Sequence, residues 1–328
     1  MTPWGEAGTL LGKLRGRRVP VIDRSFGDPR LARMQAAAKD GGAEQWPPVR
    51  ATLAAARGHE DLTFLVAGIM DTAGVERWTA DVLAGRPDDT LALLVSGARH
   101  VGWAWQARGG YSASSVPEAQ WKLFQERLVI AEERLLDVAE REPDWAAPWY
   151  FLQACGRGMQ VDLDAAESRF AATCRRAPGH VAAHSQHLQQ VSKKWGGSHE
   201  RMFAFAREAA RTAPDGSGLG QLVAMAHLEM WADASGDPDS RVLHDPAVVR
   251  ELHAAAALSV HHPAYVRERD WAVGVNTFAM AFALAGEEAA ARVMFRSVGN
   301  RVTTTPWQYL NGQSPVVPFL AWRERVGA

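Results

Sequence analysis

Three histidines stand close together at His180, His184 and His187, spaced i, i+4 and i+7. On a helix that spacing puts all three on one face. Imidazole nitrogens at i and i+4 can chelate a divalent metal. His199, Glu200, His227 and Glu229 follow in the next two helical segments and could add ligands. The residues between His180 and His184 are Val181, Ala182 and Ala183, so the acidic partner of a zinc-hydrolase helix is missing. A histidine face packed on a neighbouring helix accounts for the same spacing, and it is the reading preferred here. We expect no metal and no cofactor; His180, His184 and His187 are the ligand candidates if one binds.

Other residue types could do different chemistry. His227 sits mid-helix between apolar residues, with Trp231 four positions on. It could serve as a general base if a carboxylate on an adjacent helix oriented it, and Glu229 lies beside it. His227 and Glu229 are the catalytic candidates, set against a plain buried histidine bonded across a helix pair. Arg108 borders a Gly-rich turn and could clamp a carboxylate, although capping a helix C-terminus is the commoner role. Lys194-Trp195-Gly196-Gly197-Ser198 is a glycine turn into a helix start, where exposed amides can hold an anion. A phosphate loop would need a strand before it and Lys-Ser/Thr after it, and neither is present. Trp105, Arg108, Trp149, His184, His187, Trp195 and Trp231 are the ligand-binding candidates. The sequence contains no Ser/His/Asp order, Cys/His nucleophile pattern, dinucleotide glycine motif or CxxC pair.

The elements that must position these residues read as helices throughout. Glu142-Pro143-Asp144, Ala177-Pro178-Gly179 and Ala213-Pro214-Asp215 repeat one exit signal, with prolines 35 and 36 residues apart. Between the first two exits stand Trp149-x-x-Leu152 and Ala166-x-x-x-Phe170. Alanine lets two helices approach, the rings fill the gap, and proline cannot continue the second helix. That is the pattern of a tetratricopeptide hairpin. A second, degenerate copy puts His184 and His187 where the Trp and Leu should be.

Earlier in the chain, helices are expected over Gln45–Arg57, His59–Thr72, Val75–Ala84 and Thr90–Ala107. A long one starts at Ser115-Val116-Pro117-Glu118, with Ser115 as the cap. Trp121, Phe124, Leu128, Ala131, Leu135 and Val138 give it one buried face. Later helices are expected over Ala247–Val260, Tyr265–Ala285 and Glu287–Val298. No convincing period-two strand stands out. The predicted fold class is all-α: antiparallel helix pairs stacked as a tetratricopeptide-like α-α superhelix. Residues 1–27 are read as an irregular arm and 28–328 as a single all-helical domain. Its clearest repeats span 144–214, and 299–328 is extended chain with a short final helix.

Composition bounds the function classes. With 36 basic and 37 acidic residues the net charge is −1, which gives no electrostatic footprint for nucleic acid or an anionic membrane. The one basic cluster, Lys13 to Arg18, reads as a solvated arm. No apolar run approaches the roughly 18 residues of a membrane span, and no segment reads as a signal peptide. A cytoplasmic protein is expected. Two cysteines, Cys155 and Cys174, are too few for a disulfide framework and read as buried thiols. Thirteen tryptophans against four tyrosines is unusual. Most should be packing residues, and some could line a groove.

One resemblance adds to this. Trp103-Ala104-Trp105, Ala107-Arg108-Gly109, the run Lys194-Trp195-Gly196-Gly197-Ser198-His199-Glu200 with Phe203-Ala204-Phe205-Ala206-Arg207, and Ala226-His227-Leu228-Glu229 resemble a group of actinobacterial tetratricopeptide-like proteins. The likeness covers most of residues 90–310. It implies an all-helical repeat fold and no particular activity. The expected function is an interaction module that binds a peptide or partner protein in an aromatic-lined groove. The alternative is a small-molecule binder or enzyme with a His/Glu/Trp pocket, metal-dependent or not.

Overall fold

The computed structural model describes residues 20–109 and 115–328. The Lys13–Arg18 cluster and most of the expected N-terminal arm lie outside them. Every regular element among the described residues is helical, and none is a strand. No helix among them is long and apolar enough to cross a membrane. By contacts the chain divides into two compact units, one spanning 27–198 and the other 199–328 with residues 20–26.

Among its described residues the first unit holds nine α-helices: α1 (Pro29–Asp40), α2 (Trp46–Ala54), α3 (His59–Ala67), α4 (Val75–Gly85), α5 (Thr90–Arg108), α6 (Glu118–Arg141), α7 (Ala147–Met159), α8 (Leu163–Arg176) and α9 (Val181–Gln190). Side-chain caps start several of them, satisfying first-turn amides that lack an intrahelical acceptor. Asp28 accepts from the Arg30 and Leu31 amides, Asp89 from Ala92, and Asp162 from Ala165. Ser115 was expected to cap α6, but Pro117 holds that position and no side chain caps the helix. The reason is local: Pro117 is extended at ψ 143°, so helical geometry begins only at Glu118. Phe124, Leu128, Ala131, Leu135 and Val138 are buried, so the predicted stripe is the packed face of α6. Helices adjacent in sequence pack on one another from α4 through α9.

The second unit holds α10 (His199–Thr212), α11 (Gln221–Ala234), α12 (Pro246–Leu258), α13 (Ala272–Leu284), α14 (Glu288–Val298) and α15 (Val316–Arg325). The helix expected over Tyr265–Ala285 starts seven residues late, at Ala272. Arg269 takes a left-handed φ of 52°, which a helix cannot include, and residues 265–268 before it form no regular structure. From Ala272 to Leu284 nearly every residue is buried. A helix apolar all round is a core helix, and α13 is one. Phe295, Trp307 and Phe319 pack ring to ring at 5.2 to 5.6 Å. Trp307 donates from Nε1 to Asn276 Oδ1 at 2.7 Å, and Asn276 donates to the Arg301 carbonyl at 2.9 Å. The proline-bearing C-terminal segment is thereby tied to the core.

Both cysteines are free. Cys155 is buried on α7 and donates to the Leu128 carbonyl at 3.3 Å. Burial pushes its thiol up to about 12 and that of the half-buried Cys174 on α8 up to about 11.

Candidate functional site

The site with the most chemistry on its surface lies in the first unit, where α5, α7 and a glycine turn meet. Trp105 is one turn before the end of α5 and Arg108 is its last residue. A three-residue spacing places both on one side of the helix. Trp195 comes from the turn after α9. Lys193–Trp195 is a single 3-10 turn, and Gly196 closes it with φ +89°. The chain then folds back on the end of α9: the Gly197 amide donates to Ser192 O at 3.1 Å and the Ser198 amide to Val191 O at 3.1 Å. A Cβ on Gly197 would fall 1.9 Å from the Val191 carbonyl oxygen. Two glycines of different kinds thus hold Trp195 in place, the first for its dihedral and the second for a close backbone approach.

The Trp195 ring meets Trp105 edge-on, centroids 5.8 Å apart at 85°. This is the T-shaped geometry that aromatic quadrupoles favour. Trp105 is braced from behind by Phe124 at 5.1 Å and by a hydrogen bond from Nε1 to the Ala154 carbonyl. Two guanidiniums close the cluster. Arg108 lies 5.6 Å from the Trp105 centroid and 5.8 Å from that of Trp195. Arg157, on α7, lies 5.3 and 5.6 Å from the same rings. Arg157 is oriented by Gln186, whose Oε1 accepts from Nη1 at 2.6 Å. All four side chains are half-buried. Two permanent positive charges that share two indole rings repel each other, and the ring faces offset part of that cost. An anion placed against the guanidiniums would offset more of it.

The histidine trio is elsewhere in this unit and packs. His180 is the N-cap of α9, its Nδ1 accepting from the Ala183 amide at 3.3 Å, and its ring stacks on Tyr150 at 5.4 Å. His184 donates from Nδ1 to the His180 carbonyl at 2.9 Å and meets Phe170 edge-on. His187 stacks on Phe170 at 4.3 Å and 12°. Burial lowers the pKa of His184, and burial with the neighbouring His184 takes His187 down to about 4. Among the described residues no three His, Cys, Asp or Glu side chains converge as a metal ion requires. Trp149 packs under Arg176 at 5.5 Å. It does not join the Trp105 cluster.

In the second unit His227 does have the carboxylate that its sequence context called for, and it comes from Glu251 on α12. Nε2 lies 3.0 Å from Glu251 Oε2, and since a carboxylate only accepts, the imidazole donates from Nε2. Arg207 grips the same carboxylate at 2.6 and 3.0 Å. That ion pair holds Glu251 below the usual carboxylate range, and His227 adds to the effect. Burial lowers the pKa of His227 despite Glu251. The other nitrogen, Nδ1, is buried and has no hydrogen-bond partner among the described residues. His227 is only 3% exposed, which leaves no room for a substrate to reach its ring. Glu229 does not share in this arrangement. Two residues along a helix turn it to the other side of α11, where it accepts from the Tyr309 hydroxyl. Trp231 is fully buried and donates to the Asp237 carbonyl, so it is a core residue with no surface for a ligand.

Of the side chains in these clusters, the sequence reading names Trp105, Arg108 and Trp195 and does not name Arg157, Glu251 or Tyr309. Trp105 and Arg108 signal each other by their spacing on one helix. Arg157 carries no such signal, because its partners lie on other elements.

Comparison with protein-family models, with curated proteins and with solved structures found no match to this chain.

Proposed function

We propose that this is a binding protein whose 27–198 unit captures an acidic peptide segment of a partner protein. The unit's helix pairs are read as a tetratricopeptide-like stack, on the strength of the 35- and 36-residue punctuation and the close packing of successive helices. One observation carries the binding reading: Arg108 and Arg157 each lie within 6 Å of both indoles of an edge-to-face tryptophan pair. Guanidiniums bind carboxylates bidentately, and half-buried tryptophans supply apolar contact for the flanking side chain. Tryptophan and arginine are also the residues that dominate measured binding energies.

An array of acidic peptides with and without a neighbouring aromatic or aliphatic residue tests this. The best binder, measured by fluorescence anisotropy, should lose roughly 30-fold in affinity on Arg157→Ala or Trp195→Ala, an effect of about 2 kcal/mol. Arg108→Ala should act in the same direction. Raising the salt should weaken binding. An array with no binder, or binders indifferent to all three substitutions while the circular dichroism is unchanged, would overturn the proposal. The enzymatic reading through His227 has no comparable support, since its ring is buried. The small-molecule reading has its own observation, in the other unit.

A further inference from the structure

The 199–328 unit contains a cleft of about 210 Å³ between the Pro238–His244 segment, the end of α13, the start of α14 and α15. Its floor is apolar: Leu284, Trp322 and Val326 line it, and all three are buried. Its rim is charged with both signs. Arg241 and Arg325 stand there with Asp239 and Glu288. Opposite charges on one small rim would be expected to pair, yet none of these four forms an ion pair with another described residue. Arg325 instead lies over the Trp322 ring, 4.6 Å from its centroid. Trp322 thereby gains a cation on its face while the guanidinium edge stays available. Gly286 shapes the wall. Its φ of +77° belongs to the left-handed region, and a Cβ there would come within 3.0 Å of the His244 imidazole. The backbone comes close to His244 at this point, and a side chain would crowd the space.

We propose that this cleft binds a small zwitterion, namely a free α-amino acid with an aliphatic side chain. The arginines would take the carboxylate, the two acids the ammonium group, and the Trp322 floor the side chain. Size supports the class. Pockets for drug-sized ligands run to roughly 300–1,000 Å³, and this one is below that range. Charge supports it too. A simple anion would leave Asp239 and Glu288 beside it as repelling neighbours, and a simple cation would leave the two arginines so. Only a ligand with both charges satisfies the whole rim. This site is separate from the Trp105–Trp195 cluster, so either proposal can fail while the other stands.

The test is a nuclear magnetic resonance titration of the full chain, following the Trp322 indole N–H. The probes are L-leucine, 4-methylpentanoic acid, which lacks the amine, and isopentylamine, which lacks the carboxylate. Leucine should give a saturable shift, and each single-charge analogue should bind about tenfold more weakly or worse. Arg325→Gln and Glu288→Gln alter exposed side chains and should leave the fold intact. Each should weaken leucine by about fivefold or more. No saturable shift with leucine up to about 20 mM would overturn the proposal. So would equal affinity for either analogue, or wild-type leucine binding in both variants.

Discussion

Stacked 4.3 Å from the Phe170 ring and buried, the His187 imidazole titrates at about 4 instead of near 6.5. The unfolded chain therefore takes up this proton more readily than the folded one. The stability that the neutral ring contributes, about 3 kcal/mol, is fully present above pH 6.5 and is lost as the pH falls toward 4. His187→Phe keeps an aromatic ring on Phe170 and removes the titration. Urea unfolding at several pH values should then show a smaller loss of stability between pH 6.5 and 4 than the wild type. Equal slopes in the two proteins would sink this account. The sequence placed this face correctly as helical and left open whether it binds or packs. Spacing tells which side chains share a face, but only the neighbouring helix decides what that face meets. Trp231 shows the same limit: its helix was legible and its complete burial was not.

At the scale of elements, the turn from Lys193 to Ser198 matters more than its length implies. Gly196 and Gly197 are adjacent but respond to different constraints, so their alanine variants should differ. Gly196→Ala meets open space and pays only for its left-handed φ, about 1–2 kcal/mol. Gly197→Ala drives a methyl group into the Val191 backbone, which cannot be relieved by a rotamer change. It should cost about 2–3 kcal/mol or more, lower the melting temperature further than Gly196→Ala, and swing Trp195 away from Trp105. Peptide affinity should fall with it, which a purely structural turn far from the ligand would not produce. Helix identity was largely readable here, because period and proline punctuation are properties of single segments. α8 begins after the Asp162 cap and ends just before the Ala177-Pro178 exit. The starts of α6 and α13 were misplaced, because Pro117 and Arg269 impose local dihedrals that residue type alone does not announce. The cluster of two tryptophans and two arginines was half legible for the same reason: Trp105 and Arg108 share a helix, and Arg157 does not.

For the molecule as a whole, acid should act in two stages. His100, His184, His187 and His227 all have pKa values lowered chiefly by burial, so the stability from their neutral forms is complete above about pH 6.5 and declines progressively below it. Asp28, Asp61, Glu76 and Glu251 are lowered carboxylates, and their contribution is lost at still lower pH, below the ordinary carboxylate values. Unfolding free energy against pH should therefore decline from about pH 6.5, well before carboxylates protonate, and steepen near pH 4. A profile flat between pH 6.5 and 4.5 would contradict the histidine assignments. The two thiols have a practical consequence of another kind. With Cys155 and Cys174 at about 12 and about 11, no more than about one Cys174 in ten thousand is a thiolate at neutral pH, and Cys155 is scarcer still. A single new cysteine on an exposed position such as Val129 would then take a maleimide dye almost alone, giving a site-specific probe in the otherwise natural sequence.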